Sequence, residues 1–138
     1  MKLELKHLAS YLPYGLNIKD VKHGSVFEAL HFITTPHQDF SLFKGNFDQL
    51  TNDKYLKPVL FPLSSLTIDE MKNITGSSFY RYSEDFLETI LNTMKLEINS
   101  KKLPYYLMEK LFERKFDVFG LIDAGLAEPV TEEFNPYK

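Results

Sequence analysis

The chain has 138 residues, of which 43% are hydrophobic, 25% charged and 14% aromatic, and its formal net charge is −3. A single core can hold a chain of this length without metal ions or disulfides, so we expect one globular domain over residues 1–138. Because cysteine is absent, disulfides, thiolate metal sites and cysteine nucleophiles are excluded. Arginine, which phosphate and base-edge recognition favours, accounts for only two of the 16 basic residues, so duplex nucleic acid is not an expected partner.

The first residues alternate charged and apolar side chains and contain no continuous apolar run. We therefore expect neither a secretory signal nor a membrane span, and a cytoplasmic protein. The helical spacing of Leu5, Leu8 and Leu12 predicts a short helix that ends at Pro13, and Gly15 suits a left-handed turn.

Residues 16–34 are predicted to form a β-hairpin. Two extended runs flank His23-Gly24, a pair that suits a tight turn because glycine adopts positive φ freely. The second run, from Val26 to Thr34, has apolar side chains on both faces. It is therefore predicted to be a covered strand.

Residues 35–53 are rich in proline, glycine, asparagine, aspartate and phenylalanine. They are predicted to be a loop or an irregular strand pair with aromatic anchors. The run from Lys57 to Leu63 is short and apolar. Because Pro58 and Pro62 cannot donate ladder hydrogen bonds, this run predicts a strand that is brief or lies at a sheet edge.

The second half contains the clearest helical patterns. Ser65 or Thr67 is a candidate cap for a short helical turn through Met71. Ser83 precedes an apolar stripe with helical spacing, which predicts an amphipathic helix. The alternation from Met94 to Ile98 then predicts a short strand, although the same residues could extend the helix.

A further amphipathic helix is predicted to begin at Pro104, since proline suits the first helical turn. Asp117 is predicted to cap a final helical turn that Gly125 ends, and residues 129–138 are predicted to be an extended tail. The predicted fold class is therefore α+β, with a small, mainly antiparallel sheet and two or three helices concentrated in the C-terminal half.

Three side chains are candidate metal ligands. His31, His37 and Asp39 form a possible set of two histidines and one carboxylate, of the kind that zinc and non-haem iron sites use. The two histidines are separated by six positions, and no His-x-x-x-His helix fixes them on one face. Two histidines in a polar loop are therefore the simpler interpretation, and the metal site remains an alternative.

Tyrosine is the residue type that most favours an interaction function, because it offers a large contact area and a polar tip at little entropic cost. Six tyrosines near predicted turns and element ends are candidate interface residues: Tyr11, Tyr14, Tyr80, Tyr82, Tyr105 and Tyr106. Tyr80, Arg81 and Tyr82 also have the pattern of a single-strand nucleic-acid platform. The acidic residues around them weaken that interpretation.

Three segments resemble a known family: Tyr-Leu-Pro-Tyr-Gly-Leu at 11–16, Lys-Pro-Val-Leu-Phe-Pro-Leu at 57–63 and Phe-Asp-Val-Phe-Gly-Leu-Ile at 116–122. In this order they resemble small uncharacterised proteins of Bacteroidetes phages, prophages and mobile elements. The resemblance implies an origin but no activity, cofactor or catalytic residue. The shared positions suit structural roles in turns, strand ends and caps, and they are Pro13, Gly15, Pro58, Pro62, Asp117, Gly120 and Gly125.

These observations predict a non-enzymatic protein-interaction or assembly module of a phage or prophage, acting in the cytoplasm of a bacterial host without a cofactor. The expected partner is a protein, either a second copy of this chain or a host or phage protein. One alternative is a small metal-assisted enzyme that uses His31, His37 and Asp39. A weaker alternative is a single-strand nucleic-acid binder that uses Tyr80, Arg81 and Tyr82.

Overall fold

The computed structural model describes residues 1–34, 40–75, 84–97 and 105–138, which form an α+β fold. The strands are β1 (Asn17–Asp20), β2 (Val26–Glu28), β3 (Leu56–Leu60) and β4 (Glu128–Pro129). The α-helices are α1 (Leu5–Ala9), α2 (Ala29–Thr34), α3 (Phe40–Asn52), α4 (Ile68–Thr75), α5 (Glu84–Glu97) and α6 (Tyr105–Glu113). Short 3-10 turns occupy Leu12–Tyr14 and Leu63–Ser65.

The four strands form a mixed sheet in the order β2-β1-β3-β4. Strand β1 pairs antiparallel with both β2 and β3, whereas β3 and β4 are parallel. The α+β class is confirmed, but the sheet is not purely antiparallel. The parallel pair arises because the chain passes through α4, α5 and α6 before it returns to the sheet, and parallel strands require such a crossover.

The hairpin predicted around Gly24 is present. Asn17 lies opposite Glu28 and Lys19 opposite Val26, and Gly24 has φ of 78°. The Asp20 carboxylate accepts hydrogen bonds from the backbone N–H groups of Lys22 and His23, at 2.9 and 3.2 Å, which fixes the turn.

The second arm of the hairpin is shorter than predicted. Strand β2 ends at Glu28, and the next six residues form α2. Ala29 and Ile33, four positions apart, are buried on one helix face, whereas Leu30 between them is 41% exposed. The apolar residues of this run fit both the alternating spacing of a strand and the three-to-four spacing of a helix. The sequence pattern therefore does not distinguish a covered strand from a short helix, and the tertiary packing selects the helix.

Residues 40–52 form a helix, so the prediction of a loop or irregular strand pair is wrong for this segment. Phe40, Phe43, Phe47 and Leu50 recur at intervals of three and four, which is the helical period. Leu50 is fully buried, and the Asn46 side chain donates a hydrogen bond to the Phe32 carbonyl oxygen at 3.0 Å, which joins α3 to α2.

Strand β3 is brief, as predicted, but it lies in the interior of the sheet between β1 and β4. Pro58 lies opposite Ile18 of β1. Val59 and Leu60 pair with β4 on the other side and are fully buried. The missing N–H of one proline therefore does not confine this strand to an edge.

The helices of the second half largely follow the sequence pattern. Thr67 caps α4, because its Oγ1 accepts the Glu70 N–H at 3.2 Å. The helix α5 continues to Glu97 through most of the segment predicted as a strand. Helix α6 begins at Tyr105, immediately after the predicted start, and Pro104 lies outside the described residues. Three α-helices, α4, α5 and α6, follow β3, in agreement with the two or three predicted for the C-terminal half. Because α1, α2 and α3 precede β3, helices are present in both halves of the chain.

The core lies between the sheet and these helices. It includes Leu8 of α1, Ile18 of β1, Leu60 of β3 and Leu111 of α6, all fully buried. In the part of the chain that the structure describes, no helix combines the length and apolarity that a membrane crossing requires.

Candidate interaction surface

Two of the predicted interface tyrosines lie together beside the start of α6. Tyr14 ends the first 3-10 turn, and its hydroxyl donates a weak hydrogen bond to Glu109 Oε1 at 3.4 Å. Tyr105 and Glu109 are four positions apart on α6 and therefore share one face of the helix. Tyr14, Tyr105 and Glu109 form what we call the tyrosine surface.

The tyrosine surface is anionic and aromatic. Partial desolvation raises the pKa of the Tyr14 hydroxyl, and the negative charges of Glu109 and Glu113 raise it further. Lys110 pairs with Glu113 at 3.2 Å, so the carboxylate in contact with Tyr14 is that of Glu109. The surface therefore offers aromatic area, a protonated phenol and a carboxylate acceptor.

Tyr105 is the most exposed part of this surface. Its side chain is 79% exposed, the largest value among the exposed large hydrophobic residues of the described ranges. A tyrosine in this position can bury its ring against a partner while its hydroxyl keeps a hydrogen bond.

Tyr11 does not lie at the surface, so the prediction that a partner can reach it is wrong. Its side chain is fully buried, with its ring edge against Phe112 at a centroid distance of 5.0 Å. Its hydroxyl donates to the Phe116 carbonyl oxygen at 2.6 Å and accepts the Val118 N–H at 3.1 Å. The tyrosine at this helix end faces inward because the segment after α6 offers its hydroxyl both partners.

The remaining predicted tyrosines are not described at the level of side chains. Tyr80 and Tyr82 lie outside the described residues, as does Arg81 between them. Tyr106 is a residue of α6, but its side chain is not among those that the structure describes. The single-strand nucleic-acid platform and these three interface positions therefore stay predictions.

The predicted metal ligands are not brought together by the described structure. His31 lies on α2 with an exposed side chain, and His37 and Asp39 are outside the described residues. Within residues 1–34, 40–75, 84–97 and 105–138, no three histidine, aspartate or glutamate side chains are grouped so as to hold a metal ion. The site stays a prediction.

The positions shared with the resembled family have local structural roles. Asp117 is buried, and its two carboxylate oxygens accept the N–H groups of Leu121 and Ile122 at 2.8 and 2.9 Å. It organises a series of turns rather than the helical turn predicted there. Pro13 lies in the first 3-10 turn, Pro58 in β3 and Pro62 just after β3. The backbone has positive φ at Gly15, Gly120 and Gly125.

One cleft, of about 320 Å³, has the residue types that acid–base or nucleophilic chemistry uses. Ser64, Lys95, Asp117 and Asp123 are among its lining residues. Both oxygens of Asp117 are occupied by backbone N–H groups, so this carboxylate is a structural acceptor. Asp117 is therefore not available as a catalytic base in this cleft.

Sequence reasoning missed Tyr137, whose hydroxyl joins two strands of the sheet. The available signal was an aromatic pair, Phe134 and Tyr137, within an otherwise polar segment.

A scan against protein-family models, a comparison with curated proteins and a comparison with solved structures each found no match to this chain.

Proposed function

We propose that the chain is a non-enzymatic protein-interaction or assembly module of a phage or prophage, acting in the cytoplasm of a bacterial host. The observation that carries the proposal is the 79% exposure of Tyr105 on the tyrosine surface. Tyrosine is enriched in protein interfaces and is among the residues that most often dominate their binding energy. The phage origin is supported by the three sequence segments at 11–16, 57–63 and 116–122.

The geometry of the tyrosine surface suits a protein partner better than a small molecule. Tyr105 projects from the first turn of α6 into solvent, and Tyr14 and Glu109 lie beside it without enclosing it. Small-molecule sites enclose most of their ligand, whereas a protein partner can cover an exposed aromatic side chain.

The experiment compares affinity capture by the unmodified chain and by Tyr105→Ala from a lysate of a bacterial host. The expected result is one or more proteins that the unmodified chain retains and Tyr105→Ala loses. Tyr55→Ala is the matched control, because Tyr55 is also exposed but lies before β3, and it should retain the same proteins.

Equal capture by all three chains would contradict the role of the tyrosine surface. A monomeric chain that captures nothing and hydrolyses a substrate would contradict the proposed class of function. Because Tyr105 contributes little to the core, its replacement by alanine should change the free energy of unfolding by less than about 0.5 kcal/mol.

A further inference from the structure

Residues 130–138 form a segment of bends and turns that lies against the sheet, rather than the extended tail predicted there, and we call this segment the strap. It leaves β4 at Val130, whose N–H donates to the Leu60 carbonyl oxygen at 2.9 Å, and it turns at Thr131, whose N–H donates to the Phe134 carbonyl oxygen at 2.9 Å. Every residue of the strap is exposed or half-buried. A small number of specific contacts therefore hold it in place, with little contribution from the hydrophobic core.

Tyr137 makes the most specific of these contacts. Its hydroxyl accepts the Asn17 N–H at 3.1 Å and donates to the Val59 carbonyl oxygen at 2.6 Å. Because Ile18 lies opposite Pro58 in the antiparallel pair of β1 and β3, Asn17 and Val59 are the next residues along the two strands. The phenol hydroxyl therefore bridges the end of the strand pair, where it takes the place of a direct hydrogen bond between them.

The ring of Tyr137 is held on two sides. It stacks on Phe61 with a centroid distance of 5.9 Å and an interplanar angle of 29°. The Lys115 ammonium lies 4.7 Å from its centroid. Aromatic stacking and a cation over the ring are both favourable, and each depends on an aromatic side chain at this position of the strap.

Two further positions of the strap are contacted by side chains of β1. The Lys19 ammonium lies 4.3 Å from the centroid of Phe134. The Asn17 side-chain amide donates to the Pro136 carbonyl oxygen at 3.5 Å. The sheet thus contacts the Phe134 ring, the Pro136 carbonyl oxygen and the Tyr137 hydroxyl. We call the part of the sheet that makes these contacts the docking site.

We propose that this docking site also takes residues 134–138 of a second copy, so that two chains exchange this part of the strap and form a reciprocal dimer. A second copy presents the same Phe134, Pro136 and Tyr137, so the contacts of these three residues with the sheet can be regained between two chains. Exchange of an identical segment is a low-cost route to a dimer for this reason. The low burial of the strap lets it open while the core stays folded.

The protein concentration determines whether the closed monomer or the exchanged dimer predominates. The exposed residues 131–133 are the linker between β4 and the exchanged part. A segment tethered by a short flexible linker has an effective concentration on the order of mM at its own site. The closed form therefore dominates in dilute solution, and exchange increases as the protein concentration approaches this range. An assembly that gathers many copies provides such a concentration locally.

The absence of cysteine allows a direct test by disulfide trapping. Asn17→Cys and Pro136→Cys are prepared as separate full-length chains with different affinity tags, mixed from low concentration up to ~1 mM and then oxidised. Exchange brings Cys at position 17 of one chain against Cys at position 136 of the other. We expect a covalent heterodimer on a non-reducing gel, with a yield that rises with protein concentration.

The matched control replaces Asn17→Cys by Lys22→Cys, an exposed position in the hairpin turn. This pair gives the background of random collisions. A second control places both cysteines in one chain, where an intrachain disulfide reports that the strap is docked as described. Adding Tyr137→Phe to the Pro136→Cys chain should speed the approach to the final heterodimer yield, because the strap opens more readily without the hydroxyl that bridges Asn17 and Val59.

A heterodimer yield no higher than that of the Lys22→Cys control, together with a closed intrachain disulfide, would show that the strap docks only within its own chain and would overturn the proposal. Failure of the intrachain disulfide in a folded chain would overturn it as well, because the docking site itself would be absent. This outcome is separate from that of the tyrosine surface, which shares no residue with the strap or its site. Capture of partners through Tyr105 can succeed or fail independently of strap exchange.

Discussion

The Tyr11 hydroxyl is both donor and acceptor inside the core, and it ties the 3-10 turn near the start of the chain to the segment after α6. It bonds the Phe116 carbonyl oxygen and the Val118 N–H, more than 100 positions away in sequence. Burial raises the pKa of this hydroxyl far above its usual range, so the phenol stays protonated and keeps both hydrogen bonds at all ordinary pH values.

Tyr11→Phe should destabilise the protein by about 1–3 kcal/mol, because it keeps the ring but leaves a buried carbonyl and a buried N–H without a partner. Urea unfolding followed by circular dichroism measures this change. Tyr14→Phe is the matched control, since its hydroxyl lies 3.4 Å from Glu109 at the surface and should contribute less than about 0.5 kcal/mol. Equal losses in the two variants would contradict the buried bridge.

His7 couples folding to pH. Its ring is buried against Phe119, at a centroid distance of 5.2 Å, and its Nδ1 accepts the Glu4 N–H at 3.0 Å. Desolvation lowers the pKa of His7, the charge of Lys6 lowers it further, and Glu4 partly opposes this. A protonated Nδ1 could not accept the Glu4 N–H, so the folded state requires the neutral ring.

Because the pKa of His7 is lower in the folded state than the ordinary value of 6.5, the unfolded chain binds the proton first as the pH falls. The stability that the neutral ring contributes is therefore complete above pH 6.5 and is lost as the pH falls below it. The free energy of unfolding, measured from pH 8 to pH 5, should fall less in His7→Asn than in the unmodified chain. His31→Asn changes an exposed ring and should keep the original slope; the same slope in all three chains would exclude this role of His7.

At the scale of elements, the end of α6 has a left-handed backbone conformation that the sequence does not predict. Lys115 has φ of 62°, the left-handed region in which glycine is common. The Lys115 N–H donates to the Phe112 carbonyl oxygen at 2.9 Å and the Phe116 N–H to that of Leu111 at 3.0 Å, which is the Schellman pattern. A lysine here costs backbone energy but places its ammonium over the Tyr137 ring.

Lys115→Gly and Lys115→Ala separate these two effects. Both remove the ammonium, but only glycine relieves the left-handed backbone, so Lys115→Gly should be more stable than Lys115→Ala by about 1 kcal/mol. Thermal and urea unfolding of the two variants measure the difference. An alanine variant that equals or exceeds the glycine variant in stability would show that the backbone at this position is not strained.

The sequence predicted elements well where one period dominated. The amphipathic pattern of α6 and the turn residues of the hairpin at Gly24 each admit one local structure. The segment 26–34 admits two, and burial of Ala29 and Ile33 beside the sheet chose a helix after three strand residues. In α3 the aromatic spacing was helical, but the turn-forming composition around it suggested a loop.

At the scale of the whole molecule, stability is distributed unevenly between the core and the strap. Val118, whose N–H bonds Tyr11, lies in the buried core, whereas the Asn17 N–H bonds a strap residue. Amides held by segments with few buried contacts exchange through local opening, at a lower free energy than global unfolding.

Hydrogen exchange followed by NMR should therefore show faster exchange of the Asn17 amide than of the Val118 amide. Tyr137→Phe should accelerate exchange at Asn17 and leave Val118 nearly unchanged, because only the first amide loses its acceptor. Tyr11→Phe should have the reverse effect on the two amides. Exchange at the same rate for both amides, with the same denaturant dependence, would mean that the strap opens only when the whole domain unfolds.

The candidate surface was predicted only in part. The positions of Tyr14 and Tyr105 near element ends indicated exposure, and the structure places both beside Glu109. The same reasoning failed for Tyr11, because a tyrosine at a helix end can face either solvent or the core. The choice depends on whether a distant segment supplies partners for the hydroxyl, which spacing along the chain does not encode.

The sequence by itself determined the local features of this protein: the absence of thiol chemistry, the hairpin at Gly24, the helix from Tyr105 and the α+β class. Each follows from composition, period or turn chemistry within a few residues. The tertiary structure alone decided the interior place of β3, the burial of Tyr11 and the docking of Tyr137 against Asn17 and Val59. The pairings of β3 join residues about 40 and 70 positions apart, and the contacts of Tyr11 and Tyr137 join residues about 80 to 120 positions apart. Only the packing of the folded chain brings such partners together.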